Sequence, residues 1–432
     1  MRLHSTRNPS WHCNLRQALG LNMAPDGGLL VPELPNWQDW DALLQVPWPD
    51  RGAEMLVRLA AGEFDRAELQ PIAREALAIA VPLLPVEADT YVLELWHGPT
   101  LAFKDFGARL LARLLALVDG PNAGNRTILT ATSGDTGAAV AAAFHGVPGG
   151  TAVVLYPAGR VSGLQEQQIA GWGGNVLALR VAGSFDDCQA MVKGAFADRK
   201  LATALRLTSA NSIHIGRLLA QLTYFSELAA QFRAMSLGGP PPVVAVPCGN
   251  FGHLTAALYA KQLGMPLGPL VVAPNANRTV PDFLDGGSYQ VRRSVATPSN
   301  AMDVGAPSNW ERVAHFFGND AVAMRTELRW GSATDDQTRA EMVRLHRLGY
   351  PADPHGAVAS HVLRQVRRRG EAGVFLATAH PGKFGDIVQQ ATGVAPLLPQ
   401  SLRATSEKPL QFEALPADLP ALRARLQQWA AR

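Results

Sequence analysis

An α/β fold, with parallel sheets covered by helices on both faces, is the reading this sequence supports best. Three observations predict it. From about residue 90 onward, short β-rich runs alternate with helical stretches. Glycine-rich turns stand where several of those runs give way to helices. The 432 residues, 47% hydrophobic and 17% charged, describe a well-packed globular chain, long enough for roughly two or three cores.

The elements follow in order. Residues 1–90 read as a mostly helical, proline-punctuated segment, with a turn and short strand over Met23–Pro32 and helical periodicity over Arg51–Ala80. Strands are expected at Tyr91–Leu95, Arg126–Thr132, Thr151–Tyr156, Val176–Val181 and Leu205–Thr208. Helices are expected at Asp105–Val118, Gly137–His145, Gly163–Ala170, Phe185–Arg199 and Gly216–Gln231. Gly238–Pro242 is a linker candidate. Beyond it the alternation resumes with strands at Val243–Val246, Leu270–Ala273 and Val374–Thr378, and helices at His253–Leu263, Asp336–Leu348 and Gly356–Arg368. The expected division is 1–90, 91–237 and 238–432.

Composition excludes several function classes. A net charge of +3 gives no general field for nucleic acid. Cys13, Cys188 and Cys248 are scattered, which suits a reducing cytoplasm and supplies neither a disulfide framework nor a zinc spacing. Met1–Arg7 lacks the apolar region of a secretory signal. No apolar run reaches the ~18 residues of a membrane span. His97, His253 and His380 show no metal-ligand spacing, so no metal is expected.

Five short stretches carry the chemistry. Lys104 lies among Leu101, Phe103 and Phe106 at a helix start. Desolvation there would lower its pKa and make it a nucleophile, unless it snorkels to solvent. Ser133, Gly134, Asp135, Thr136 and Gly137 form a turn between a strand and an alanine-rich helix. Glycines, hydroxyls and free N–H groups make that turn a carboxylate or phosphate cradle, or merely a capped helix. Gly249, Asn250, Phe251 and Gly252 form a second such turn, able to surround a phosphate with backbone N–H groups or to serve only as a turn. Asn211 and Ser212 open a long helix with Arg217 one turn in, an anion site or a cap with a surface arginine. Thr378 ends the last expected strand, where ligands of open α/β sheets bind, or makes only local bonds.

Together these motifs resemble the fold-type II enzymes that use pyridoxal 5′-phosphate (PLP), and among them the threonine synthases of the longer bacterial and fungal type. The resemblance rests on residues 97–106, 130–139, 211–213 and 378–381, with the Asp26–Leu29 turn and the Ser299–Val304 stretch. Related dehydratases and cysteine synthases lack the last two. The resemblance implies two open parallel-sheet domains plus the N-terminal segment. It implies Lys104 as the Schiff-base lysine and the catalytic acid–base, Gly249–Gly252 as the cofactor-phosphate loop, and Thr378 as the hydroxyl facing the pyridine nitrogen. It also implies Ser133, Asp135 and Thr136 at the substrate carboxylate, and Asn211, Ser212 and Arg217 at the substrate phosphate. The implied reaction turns O-phospho-L-homoserine and water into L-threonine and phosphate in a cytoplasmic monomer or homodimer. Another fold-type II lyase, such as a threonine or serine dehydratase, and a non-catalytic PLP-binding homologue are the alternatives. This sequence departs from the family at His214, Cys248, His253 and Gly382, where Asn, Ser, Asp or Asn, and Ala are expected. His214 is expected to touch phosphate affinity or its pH dependence.

Overall fold

The computed structural model describes residues 1–120, 124–236 and 239–430. Its first strands are β1 (Arg2–Ser5), β2 (His12–Asn14) and β3 (Leu30–Pro32). They form an antiparallel sheet in the order β2-β1-β3. The segment expected to be mostly helical therefore opens on a sheet. The turn before Leu29 folds the chain back, and Val31 then pairs with His4. The helices Asp50–Leu59 and Arg66–Ala76 follow.

Next come β4 (Leu83–Glu87) and β5 (Thr90–Glu94), then β6 (Arg126–Ala131), β7 (Gly150–Pro157) and β8 (Val176–Ala182). β9 (Val243–Pro247), β10 (Leu270–Ala273), β11 (Leu328–Trp330), β12 (Gly373–Ala377) and β13 (Phe412–Pro416) complete the set among the described residues. One sheet has the order β11-β10-β9-β12-β5-β4, parallel except for the edge strand β4. The other has the order β13-β8-β7-β6 and is parallel throughout.

This pairing corrects the expected division. β4 lies before residue 90 yet edges the large sheet, and β5 lies within 91–237 yet pairs with β12. β13 lies within 238–432 yet pairs with β8 of the other sheet. Periodicity reports which face of a strand is buried, not which strand lies beside it. The 237/238 division and the first linker glycine fall outside the described residues. Leu205–Thr208 is not a strand: Arg206 takes a left-handed φ of +48°, and only Thr208 bridges to Ile128.

The helix Ile215–Ser236 packs against both Lys104–Asp119 and Gly252–Gln262. Leu218, Leu222, Phe225 and Leu228 are fully buried on it. A helix apolar on more than one face belongs in the interior. Its first turn delivers Arg217 to the junction of the two α/β layers, where the site lies.

Candidate active site

Lys104 begins the helix Lys104–Asp119. The turn before it is pinned to the end of β12: Phe103 N–H donates to Thr378 O at 2.8 Å, and Ala102 bridges Ala379. Leu101 is held at a φ of +55°, a left-handed conformation that costs a non-glycine residue about 1–3 kcal/mol. The lysine side chain is 14% exposed, and its Nζ lies 3.5 Å from an Asp135 carboxylate oxygen. Burial pushes the Lys104 pKa down, Asp135 opposes this, and Lys383 and Arg217 add to the lowering. A lysine in this state gives up its proton more readily than one in water.

Asp135 and Thr136 open the helix Asp135–Phe144, with Gly134 before them at a φ of +145°. Thr132 Oγ1 accepts the N–H groups of Gly134 and Gly137. Those of Ser133, Asp135 and Thr136 have no partner among the described residues. These donors, at the positive end of a helix, suit a carboxylate. The Asp135 side chain does not. Its carboxylate sits between Lys104 and Lys383 (2.8 Å) and accepts from Gln165 Nε2 at 3.2 Å. A second carboxylate would be repelled by it, so Asp135 offers a substrate only its backbone.

The Gly249–Gly252 turn links β9 to the helix Gly252–Gln262. Phe251 caps that helix at a φ of +61°. Asn250 Oδ1 accepts from Ser308 N–H at 2.8 Å, fixing the turn from outside. A Cβ at Gly249 would stand 2.8 Å from Met302 Cα and 2.9 Å from Ala301 O. Those atoms are backbone and cannot swing aside. Gly249→Ala is therefore expected to cost about 1–3 kcal/mol of stability and to weaken cofactor retention; thermal unfolding and PLP titration measure the two effects. His253 follows the turn and stacks on Phe103 at 4.7 Å between ring centroids. That stack brings the turn beside Lys104. Burial, then the Lys104 charge, pushes the His253 pKa down to about 3, so its ring is neutral.

Arg217 lies against Gly107, one turn along the lysine helix. It is 2% exposed, and its Nη1 donates to Ala210 O at 2.7 Å. Its Nε has no partner, and no carboxylate lies within ion-pair distance among the described residues. Burial lowers its pKa to about 10, which leaves it charged. A buried cation without a counter-ion calls for an anion. Ser212 stands next to Gly252, and Asn309 Nδ2 donates to Ser212 O at 3.3 Å. The loops at 211–213 and 249–252 thus share one wall.

These contacts link Lys104, Asp135, Thr378, the Gly249–Gly252 turn, Ser212 and Arg217 through adjoining elements, whereas His214, the departure expected to touch phosphate affinity, makes none of them. That ring is buried elsewhere: Nδ1 accepts from Gly216 N–H at 3.1 Å, and Nε2 donates to Leu19 O at 3.2 Å. Both nitrogens are spent on backbone, so His214 is a brace and not a phosphate ligand. At Gly382 an added methyl would lie 2.9 Å from the His380 ring, so glycine fits there.

Two groups escaped the sequence reading. Lys383 is fully buried, donates to Thr100 O at 2.8 Å and pairs with Asp135. A lysine just past the strand-end threonine was the available signal. His355 bonds Asp353 through Nδ1 at 2.7 Å and accepts from Ala301 N–H at 3.2 Å. It fixes the Ser299–Val304 stretch behind Gly249, and no spacing marked it.

A lysine at the mouth of a helix, a strand-end hydroxyl and two anion cradles fit a phosphorylated aldehyde cofactor. The family model of pyridoxal-phosphate dependent enzymes matches residues 79–378, and that of the threonine synthase C-terminal region matches 356–425. Threonine synthase of Haemophilus influenzae is 43% identical over 427 residues, 99% of both chains. The chain belongs to the threonine synthase family. The crystal structure of Escherichia coli threonine synthase superposes with a TM-score of 0.91 at 42% identity, covering 99% of this chain and 100% of that one. PLP-bound threonine synthase from Brucella melitensis gives 0.92 at 34% identity, covering 100% of both. Threonine deaminase isoform 2 of Solanum lycopersicum, at 0.57 and 15% identity, shares the fold-type II architecture alone. A threonine synthase family member is a PLP-dependent lyase, and PLP is its cofactor.

Proposed function

We propose that this chain converts O-phospho-L-homoserine and water to L-threonine and phosphate, with Lys104 carrying the cofactor. The observation that bears most weight is the buried Lys104, flanked by one anion cradle at Ser133–Thr136 and by the unpaired Arg217. Substrate carboxylate and leaving phosphate are two anions beyond the cofactor's own, and each has a receiver.

Three groups of residues hold the cofactor. The Gly249–Gly252 N–H groups take its phosphate, Lys104 its carbonyl carbon, and Thr378 its ring nitrogen. A hydroxyl there suits a neutral ring, whereas a carboxylate would hold it protonated. Bound PLP supplies an electron sink that stabilises carbanions.

The chain's own residues do the rest. Ser133 and the N–H groups of the Asp135–Phe144 helix orient the substrate carboxylate. Lys104 Nζ, with its lowered pKa, takes protons from substrate Cα and Cβ and returns them. Asp135, itself ionised, stabilises the ammonium that forms. The phosphate leaves Cγ toward Asn211, Ser212 and Arg217, and water adds at Cβ. No helix among the described residues is long and apolar enough to cross a membrane. A cytoplasmic monomer or homodimer is proposed.

The test is phosphate release from O-phosphohomoserine by the PLP-loaded protein. Release of a keto acid from threonine in its place would favour a dehydratase. Arg217→Lys is expected to raise KM for phosphohomoserine about tenfold or more, because one point charge replaces a planar fork. Steady-state kinetics check this, and an unchanged KM would remove Arg217 from the phosphate site.

A further inference from the structure

The N-terminal sheet carries a cluster that the reaction just described does not use. His4 on β1 and His12 on β2 are directly paired in register. Side chains directly opposite in an antiparallel pair share one face. Leu3 pairs with Pro32, and Glu33 N–H bonds Arg2 O. Glu33 therefore stands opposite Arg2, two residues before His4 and on the same face. The fold thus gathers three ligands, two imidazoles and a carboxylate, that no sequence spacing marks.

We propose that His4, His12 and Glu33 form a binding site for a divalent cation of the zinc type, with His315 holding His4 from outside. His12 Nδ1 lies 3.6 Å from Glu33 Oε1, and His4 Nδ1 lies 3.9 Å from the same oxygen. One atom from each of the three residues falls within 4.8 Å of the others. Those separations are too long for hydrogen bonds. Two ligands held at ~2.0–2.1 Å from one tetrahedral zinc lie roughly 3.3 Å apart, so each histidine is within a few tenths of an ångström of that spacing from Glu33, and side-chain rotation brings the two histidines, within 4.8 Å of each other, together on the metal.

Two further observations point to a ligand. His12 Nδ1 is inaccessible to solvent and has no hydrogen-bond partner. His4 Nε2 contacts His315 Nε2 at 2.9 Å, a bond that ties the outer nitrogen and leaves Nδ1 for a metal. Metal-bound histidines commonly donate their outer N–H to an acceptor, here the His315 ring nitrogen. Arg2 lies 3.6 Å from Glu33, but its side chain is 59% exposed and leaves a carboxylate easily. Water takes the fourth position.

Bound metal would tie β1, β2 and the end of β3 together. His315 sits on the helix Trp310–Phe316, which also carries Arg312. Arg312 donates to Leu30 O, Asn309 Oδ1 and Ile213 O. The same helix therefore braces the 211–213 loop.

Zinc binding to the full-length PLP-loaded protein, by isothermal titration, tests the proposal. One equivalent is expected. His12→Ala and Glu33→Gln each remove or strongly weaken that binding, and His315→Ala weakens it about 10- to 100-fold. Circular dichroism confirms that the variants fold. Absence of zinc uptake by the parent protein overturns the site. So does uptake that His12→Ala and Glu33→Gln leave unchanged, since the metal is then bound elsewhere.

Discussion

Lys104→Ala abolishes turnover: phosphate release from O-phosphohomoserine falls by at least about 10³-fold. The variant also loses reductive fixation of PLP to the chain by borohydride. The expectation follows from position. Lys104 is the lysine at the start of its helix, held against Thr378 by the Ala102–Ala379 bridge. Lys383 is more deeply buried and is engaged by Thr100 O and Asp135. Peptide mapping of the reduced parent protein separates the two lysines. Label on Lys383, or residual activity within tenfold of the parent, would move the chemistry off Lys104.

Asp135→Asn is the second large effect, and it acts first on stability. The change leaves the ammonium groups of Lys104 and Lys383 buried without their shared counter-ion. Breaking a buried pair in this way costs about 3–5 kcal/mol. Urea unfolding of the two proteins at neutral pH measures it. Burial by itself would raise the Asp135 pKa, but the charges of Lys383 and Lys104 overcome burial and hold it far below the ordinary range. A folded-state pKa below the unfolded one stabilises at pH above the unfolded value of ~3.9 and loses that contribution as pH falls below it. The gap between parent and variant is thus full at neutral pH and narrows in acid. A gap that stays constant as the pH drops below 4 would show that Asp135 is not the ionised partner.

Element types were largely legible in the sequence because alternation and turn chemistry are local. The helix beginning at Lys104, the strand before Ser133 and the turn at Gly249–Gly252 all lie where their residues placed them. Sheet membership was not legible. β5 is expected as a strand but carries no sign that it pairs with β12, and β13, for which no strand is expected, joins β8 of the other sheet. The site divided in the same manner. Lys104, Arg217 and Thr378 announce themselves by residue type at strand ends or helix starts. Lys383 and His355 do not, because their roles come from partners hundreds of residues away or on another element. Asp135 is expected beside the substrate carboxylate, and its residue type gives no sign of what its side chain contacts. Only the two lysines around it show that the carboxylate is already committed. His214 misled for the opposite reason: its sequence neighbours are ligand-like, and its ring turns inward to Leu19.

The pairing of β13 with β8 also sets an order of events during synthesis. β6, β7 and β8 leave the ribosome well before Phe412–Pro416 is made. Until then β8 carries a bare row of N–H and C=O groups beside an apolar surface that includes Leu179, Val181 and Met191. Such an edge is a template for pairing with another chain. The nascent protein passes through a long interval in which half of its catalytic framework is assembled and sticky, and the last strand ends that interval.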